Sequence, residues 1–394
     1  MKKAIGLALA VLVAATVATT AEGSRRAAAA SAAIGCNGTM KIGFPTPLTG
    51  GAGFLGNEQM SWAKYAVKTL APRLGLKIQL VPGDTPVEQG AGAATTVAQK
   101  FIADKKMVAI IGPSTSGAVA ASSTAFAAAG LAHVSPSATR TSLTQTVDGK
   151  KEGTSSFFRV VPGDYVQGPT DANYMVKTLK VSKVAIMDFQ EPYSVGLADA
   201  VEKTLKAARV STTRLSASNT TTDYSAFVTR VPSDADIVFF PTQKPGDAQT
   251  FAQQLIEQGK KAKVFGGDGS NNSEEFKVPG SYVSNFAPDI TKIPRDKAIV
   301  AGWKKANPGK AVGSFGPPTY GAVEVVLRAI KLGCNAGGGK LASRKAVVRQ
   351  VKKVRIKNWI LGGSFRFSTK SNDPLNAKFY IFKIASNGSY QPVP

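Results

Sequence analysis

The amino-acid sequence predicts a parallel α/β fold divided between two lobes. Short apolar runs alternate with longer amphipathic ones after Met40, the pattern of strands joined by helices that cover a sheet. Runs such as Val108 to Gly112 are apolar almost throughout, as a strand covered on both faces requires. The 394 residues also exceed a single domain at roughly 100 to 200 residues each.

The elements follow in order. Lys41 to Pro45 reads as a strand, then a glycine-rich loop, then a helix from about Glu58 to Leu70. Lys77 to Pro82 is the second strand, Ala91 to Ile102 a helix, and Val108 to Gly112 the third strand. Ser116 to Ala129 is an alanine-rich helix and Leu131 to Ser135 a strand. A polar connection, Thr139 to Gly153, leads to strand character at Phe157 to Val161, and a second α/β unit begins. Its strands are Lys183 to Asp188, Ala208 to Ser216, Ile237 to Pro241 and Lys263 to Gly267. They alternate with helices near Pro169 to Leu179, Gly196 to Lys206, Tyr224 to Arg230 and Gly246 to Glu257. Tyr282 to Phe286 is a strand, and Asp296 to Ala306, Pro318 to Leu332 and Ser343 to Val354 are helices. In the last of these Val347, Val351 and Val354 share one face. Phe365 to Phe367 and Phe379 to Ile384 close the chain as strands.

Lys2 and Lys3 precede an apolar stretch, Ala4 to Val17, followed by small residues, the layout of a secretory signal peptide. Its length falls short of the roughly 20 residues that span a bilayer. The expectation is an exported chain with an export segment over residues 1–35. Lys and Arg number 49 against 25 Asp and Glu, a net charge of +24, which suits anionic lipid or wall polymers. Export argues against nucleic acid as the partner. Of the two cysteines, Cys36 and Cys334, an oxidising compartment predicts one disulfide. The alternative is a lipid anchor at Cys36, because Ala33-Ile34-Gly35-Cys36 loosely matches a lipoprotein cleavage box.

Several chemistries are excluded. One His and two Cys cannot build a three-His zinc site or a four-Cys ribbon, so no metal and no cofactor is expected. Gly51 to Gly56 has G-x-G-x-x-G spacing, but Pro45 to Thr49 come between it and the strand, so it reads as a plain loop at a cleft. Gly337-Gly338-Gly339-Lys340 lacks the leading Gly and the trailing Ser or Thr of a phosphate loop. A secreted hydrolase would need a nucleophile elbow, which Gly112-Pro113-Ser114-Thr115-Ser116 does not form, and a base. The one histidine, His133, sits in an apolar run and reads as a packed strand residue. The basic stretch from Lys340 to Lys357 reads as a solvated face.

Gly112-Pro113-Ser114-Thr115-Ser116-Gly117 leaves an apolar strand and opens a helix, so hydroxyls and backbone N–H groups converge at a positive helix end, where a carboxylate or phosphate binds. Ser135-Pro136-Ser137-Ala138-Thr139 repeats this at another strand end, and both loops fall on the ligand side of a parallel sheet.

These segments, with Phe158-Arg159, Pro162, Asp164, Gln167-Gly168, Pro47-Leu48-Thr49-Gly50, Tyr193 and Gly196, resemble the branched-chain amino acid type of solute-binding proteins of ABC importers. The resemblance implies a type I periplasmic-binding-protein fold, with two doubly wound lobes, a three-crossover hinge and a ligand cleft between them. Residues 39–159 plus 288–360 would form lobe 1, and 160–287 plus 361–394 lobe 2. Ser116, the Ser137 N–H, Ala138 and Thr139 would hold a ligand carboxylate. Tyr193 would cover the ligand and Asp268 would pair with its ammonium. Leu55 and Gln243 fall where the family often has aromatics that set side-chain preference. The implied function is non-enzymatic capture of a small zwitterion, an amino acid of branched-chain type, by a monomer that delivers it to ABC permease subunits. A secreted hydrolase and a cell-surface sensor using the same cleft are the alternatives.

Overall fold

The computed structural model describes residues 33–393. The expected signal peptide falls almost wholly outside the described residues. In chain order, β1 (Ile34–Gly35) and β2 (Thr39–Thr46) precede α1 (Gly53–Leu70), then β3 (Lys77–Asp84), α2 (Gly90–Ala103), β4 (Met107–Ile111), α3 (Ser116–Ala128), β5 (Ala132–Ser135) and β6 (Phe157–Arg159). The second unit runs α4 (Asp164–Lys177), β7 (Lys183–Asp188), α5 (Pro192–Ala207), β8 (Ser211–Ser216), α6 (Ser225–Arg230), β9 (Ile237–Phe240), α7 (Pro245–Glu257), β10 (Lys263–Gly266) and β11 (Tyr282–Asn285). A return follows through α8 (Lys297–Ala306), α9 (Gly316–Ala336), β12 (Lys340–Leu341), α10 (Arg344–Val351), β13 (Arg355–Ile356) and β14 (Phe365–Arg366). β15 (Tyr380–Ile384) and β16 (Tyr390–Pro392) end the fold.

The first sheet has the order β3-β2-β4-β5-β6, every neighbour parallel. The second is β16-β15-β11-β10-β9-β7-β8, parallel except where β15 and β16 add as antiparallel edge strands. On α1 the inward positions Leu55, Gln59, Trp62, Ala63 and Ala66 follow helical spacing and are all buried. Trp62 stacks on Trp303 of α8 with ring centroids 4.7 Å apart and donates its indole N–H to the Val312 carbonyl at 3.0 Å. The return helices thereby complete the first lobe's core, which includes Val323, Val326 and Ile330 of α9.

Cys36 and Cys334 form a disulfide, so the Cys36 sulfur is not free to carry a lipid. The same N-terminal segment pairs β1 with β12, antiparallel.

Three helices, α1, α4 and α5, begin several residues earlier than expected. Glycines are poor helix formers, yet Gly53 and Gly56 lie in the first turn of α1. The reason is steric, because a Cβ at Gly56 would lie 1.7 Å from the Pro47 carbonyl oxygen. α4 starts at Asp164 and carries Pro169 inside it instead of at its first turn. Phe365, Phe367 and Phe379 pack into the first lobe's core, whereas the expectation from sequence assigns residues 361–394 to the second lobe. Their aromatic faces find apolar partners there, Phe158 lying 5.2 Å from Phe367. The lobes touch across the cleft. Arg140 donates to the Pro192 carbonyl, and Asn219 Nδ2 donates to the Val87 carbonyl at 3.1 Å.

Candidate ligand-binding cleft

The first wall is built where β4 and β5 end. Gly112 adopts φ +110°, a conformation that L side chains avoid, and a Cβ there would meet the Pro45 carbonyl oxygen at 2.9 Å. This turn aims the chain into α3. Thr115 caps the helix, its hydroxyl accepting from the Ala118 N–H at 3.4 Å. Ser116 is the first residue of α3 and is buried, at the end where the helix dipole favours an anion.

The neighbouring loop is held rigidly. Ser135 Oγ donates to the Pro113 carbonyl at 2.6 Å and accepts from the Ala138 N–H at 2.9 Å and the Ser137 N–H at 3.3 Å. Ser137 Oγ donates to the Ser114 carbonyl at 2.6 Å. Gln59, reaching in from α1, ties the two loops together. It accepts from Ser114 Oγ at 2.6 Å and donates to Ser137 Oγ at 2.9 Å. Arg159 holds the far side, donating to the carbonyls of Thr139 at 2.6 Å and Arg140 at 2.9 Å. The Thr139 hydroxyl is buried and faces the Asp164 carboxyl without closing a well-formed hydrogen bond.

The second wall comes from α5 and the turn after β10. Glu191 caps α5 by accepting from the N–H groups of Tyr193 and Ser194 at 2.9 and 2.7 Å, which fixes where Tyr193 points. Tyr193 Oη donates to Asp268 Oδ1 at 2.9 Å and accepts from the Gly269 N–H at 3.0 Å. Tyr193 and Asp268 are both 2% exposed. Burial pushes the Asp268 carboxyl up to about 7, the charge of Asp164 adding to the rise, while Gln167 and Tyr193 pull it down. Burial likewise pushes Asp164 up to about 6, against the pull of Thr139, Arg159 and Arg140.

Leu55 is buried within the first lobe's apolar core. Gln243 is buried as well, its amide 3.4 Å from Glu191 Oε1. Beside it Lys244 packs its methylenes against Gly51 of the other lobe and sets its ammonium 4.8 Å from the Phe189 ring centre. A cavity of about 530 Å³ lies on the flank of the cleft, between Phe54 and Trp303 on one side and Asn271 and Phe382 on the other. Ser116, Thr139, Tyr193 and Asp268 do not line it. The residues expected from the sequence lie instead on the buried polar walls.

Gln59 escapes sequence reasoning, although a polar residue on the apolar face of α1 is a signal for it. Arg159 and Asp164 enter there only as motif members, and Asp171 not at all. The basic stretch is not wholly solvated: Arg344 caps the end of α2, donating to the carbonyls of Ile102 at 3.0 Å and Asp104 at 2.7 Å. His133 does pack in the core. Its Nδ1–H donates to the Leu131 carbonyl at 3.1 Å and its Nε2 accepts from Ser123 Oγ at 2.8 Å. Both nitrogens are engaged with groups other than Ser116, so the hydrolase alternative has no histidine base.

A cleft completed only when two lobes meet, with anion donors on one wall and an acid on the other, belongs to a receptor that captures a solute. The chain belongs to the periplasmic binding protein family, whose model matches residues 39–389, a family of extracytoplasmic binding proteins and not of enzymes. It is 31% identical over 300 residues to the Leu/Ile/Val-binding protein BraC3 of Rhizobium johnstonii, covering 74% of this chain and 78% of that one. The fold matches a leucine binding protein, LivK, from Thermotoga maritima with a TM-score of 0.78 at 21% identity, over 90% of this chain and 98% of that one. It also matches LivJ from Streptococcus pneumoniae in complex with isoleucine, with a TM-score of 0.75 at 22% identity, over 90% and 99% of the two chains. Among the described residues no helix is long and apolar enough to cross a membrane.

Proposed function

We propose that the protein captures an amino acid of the branched-chain type between its lobes and presents the closed form to the permease of an ABC importer, working as a monomer. One observation carries this reading: the buried Thr139 hydroxyl and the start of α3 on one wall stand with the Tyr193–Asp268 pair on the other. Ser116 and Thr139 take the ligand carboxylate, the Ser137 N–H turns to it from its long bond to Ser135 Oγ, and Ala138 forms the floor. Asp268 takes the ammonium under the cover of Tyr193, and Leu55 and Gln243 limit the side chain. The names of the Leu/Ile/Val-binding relatives support the ligand class. The lobes divide at residues 160–163, 286–289 and 368–379, where the chain passes between the two cores.

Ligand contacts on both lobes stabilise the closed state over the open one, and closure is what the permease reads. Calorimetry with leucine, isoleucine and valine tests this. Asp268→Ala is expected to abolish binding with the melting temperature retained. Undiminished affinity in that variant would remove Asp268 from the site, and silence from every amino acid would refute the reading.

A further inference from the structure

Behind Asp268 the second lobe holds more buried acid than it has cations to match. Asp164 and Asp171 stand on α4 and are 0% exposed, and Asp268 follows β10 at 2%. Glu191 and Tyr193 face the group from α5. From the first lobe Arg140 and Arg159 face Asp164. Each of these is paired with another acid, Arg140 with Glu152 at 2.7 Å and Arg159 with Asp373 at 2.6 Å.

Asp171 and Asp268 are linked through side chains, and Asp164 acts on both through its charge. Gln167 Nε2 donates to Ser284 Oγ at 2.9 Å, and Ser284 Oγ donates to Asp171 Oδ2 at 2.9 Å. The Gln167 amide and the Tyr193 hydroxyl meet over Gly267, where a Cβ would lie 3.3 Å from the first and 2.5 Å from the second. Tyr193 in turn holds Asp268. Both carboxyl oxygens of Asp164, Oδ1 of Asp171 and Oε1 of Gln167 are buried without partners. Carboxyls so close and so dry do not all ionise together, because a buried unpaired charge is too costly. All three lie in the second lobe, so the cluster persists when the lobes part.

We propose that Asp164, Asp171 and Asp268 hold a shared proton in the ligand-free receptor and give it up when the ligand's ammonium reaches Asp268, so that solute capture is coupled to proton release. This rests on the reading of Asp268 as the ammonium partner. The O–H bond of one carboxyl breaks, its electron pair stays on oxygen, the proton leaves to solvent, and the new carboxylate pairs with the ammonium. One positive charge replaces another, so the buried cluster keeps its net charge. Asp171 is a positioning residue that acts through Asp268. Burial, with the charges of Asp268 and Asp164 adding to it, holds its carboxyl well above the usual range. Capture therefore weakens in acid, by about tenfold for each pH unit below the cluster's titration.

The test is calorimetry at pH 7 with L-leucine, L-isoleucine and L-valine in phosphate and in Tris, whose ionisation enthalpies differ widely. The expected result is release of about half to one proton per ligand bound, reduced in Asp171→Asn. A pH series from 8 to 5 should show the loss of affinity. Binding with no buffer dependence and a flat pH profile overturns the coupling and leaves the amino acid reading standing. Silence from all three ligands overturns that reading and the coupling with it. Carboxyl-carbon NMR of the ligand-free protein probes the shared proton independently of any ligand: three carboxyls all titrating below pH 5 overturn it whatever binds, and one titrating above pH 6 supports it.

Discussion

Arg159 Nε lies 2.6 Å from Asp373 Oδ1, a pair 0 and 1% exposed whose partners are 214 residues apart in the chain. Burial works to raise the Asp373 carboxyl, and the Arg159 guanidinium overrides it and holds it below the usual range. The pair clamps the last passage between the lobes to the end of β6. Through its other donors, the same guanidinium sets the carbonyls of the loop that carries Thr139.

Asp373→Ala should therefore cost about 3–5 kcal/mol, the penalty for leaving one charge of a buried pair alone. Urea denaturation measures it. A loss below about 1 kcal/mol would show that water reaches Arg159 and that the clamp is weak.

His133 predicts a loss of stability on the acid side. Burial lowers its pKa from 6.5 to about 4, the bond to Leu131 opposing this. The folded form then binds fewer protons than the unfolded chain between those values, so stability is intact above pH 6.5 and falls as the pH drops toward 4. The difference amounts to roughly 3 kcal/mol at 1.36 kcal/mol per unit. Urea melts at pH 7 and pH 4 for the wild type and His133→Gln should show the variant losing less over that interval.

Asp268 predicts the opposite slope. Its pKa is raised, so the folded form holds a proton that the unfolded chain has lost, and stability falls as the pH rises from about 4 to 7. Asp268→Asn should raise the melting temperature at pH 8, where the relief is roughly 2–4 kcal/mol, and should weaken amino acid binding sharply. A lower melting temperature at pH 8 would mean that the carboxylate is well compensated in the fold.

Reducing the Cys36–Cys334 disulfide should cost about 2–5 kcal/mol. Thermal melts with and without a reductant measure it, and Cys36→Ser with Cys334→Ser should match the reduced protein. Unchanged melting would show that β1 and β12 alone anchor the N-terminal segment.

Strands covered on both faces were legible in the sequence, β7 to the residue, because continuous apolar runs bounded by polar ones have few other readings. Short pairs such as β1 with β12 and β13 with β14 were not, since two residues carry no period. α1, α4 and α5 start earlier than the sequence suggests, where glycine and proline speak for a loop and close packing decides for a helix. In the cleft, strand ends pointed to Ser116, Ser137 and Thr139 because their hydroxyls sit where parallel strands finish. Asp171 gave no signal. An aspartate on a helix usually faces water, and only the tertiary burial of α4 against β11 turns it inward.

The disulfide and the β1–β12 pair also fix an order of events. A chain exported from its N-terminus presents Cys36 first, and its partner follows 298 residues later, after every strand of the second lobe but its two antiparallel edge strands has emerged. The lobe that begins the chain is thus the one that must wait. Its opening segment can gain neither its disulfide nor its strand partner until α9 and β12 have followed.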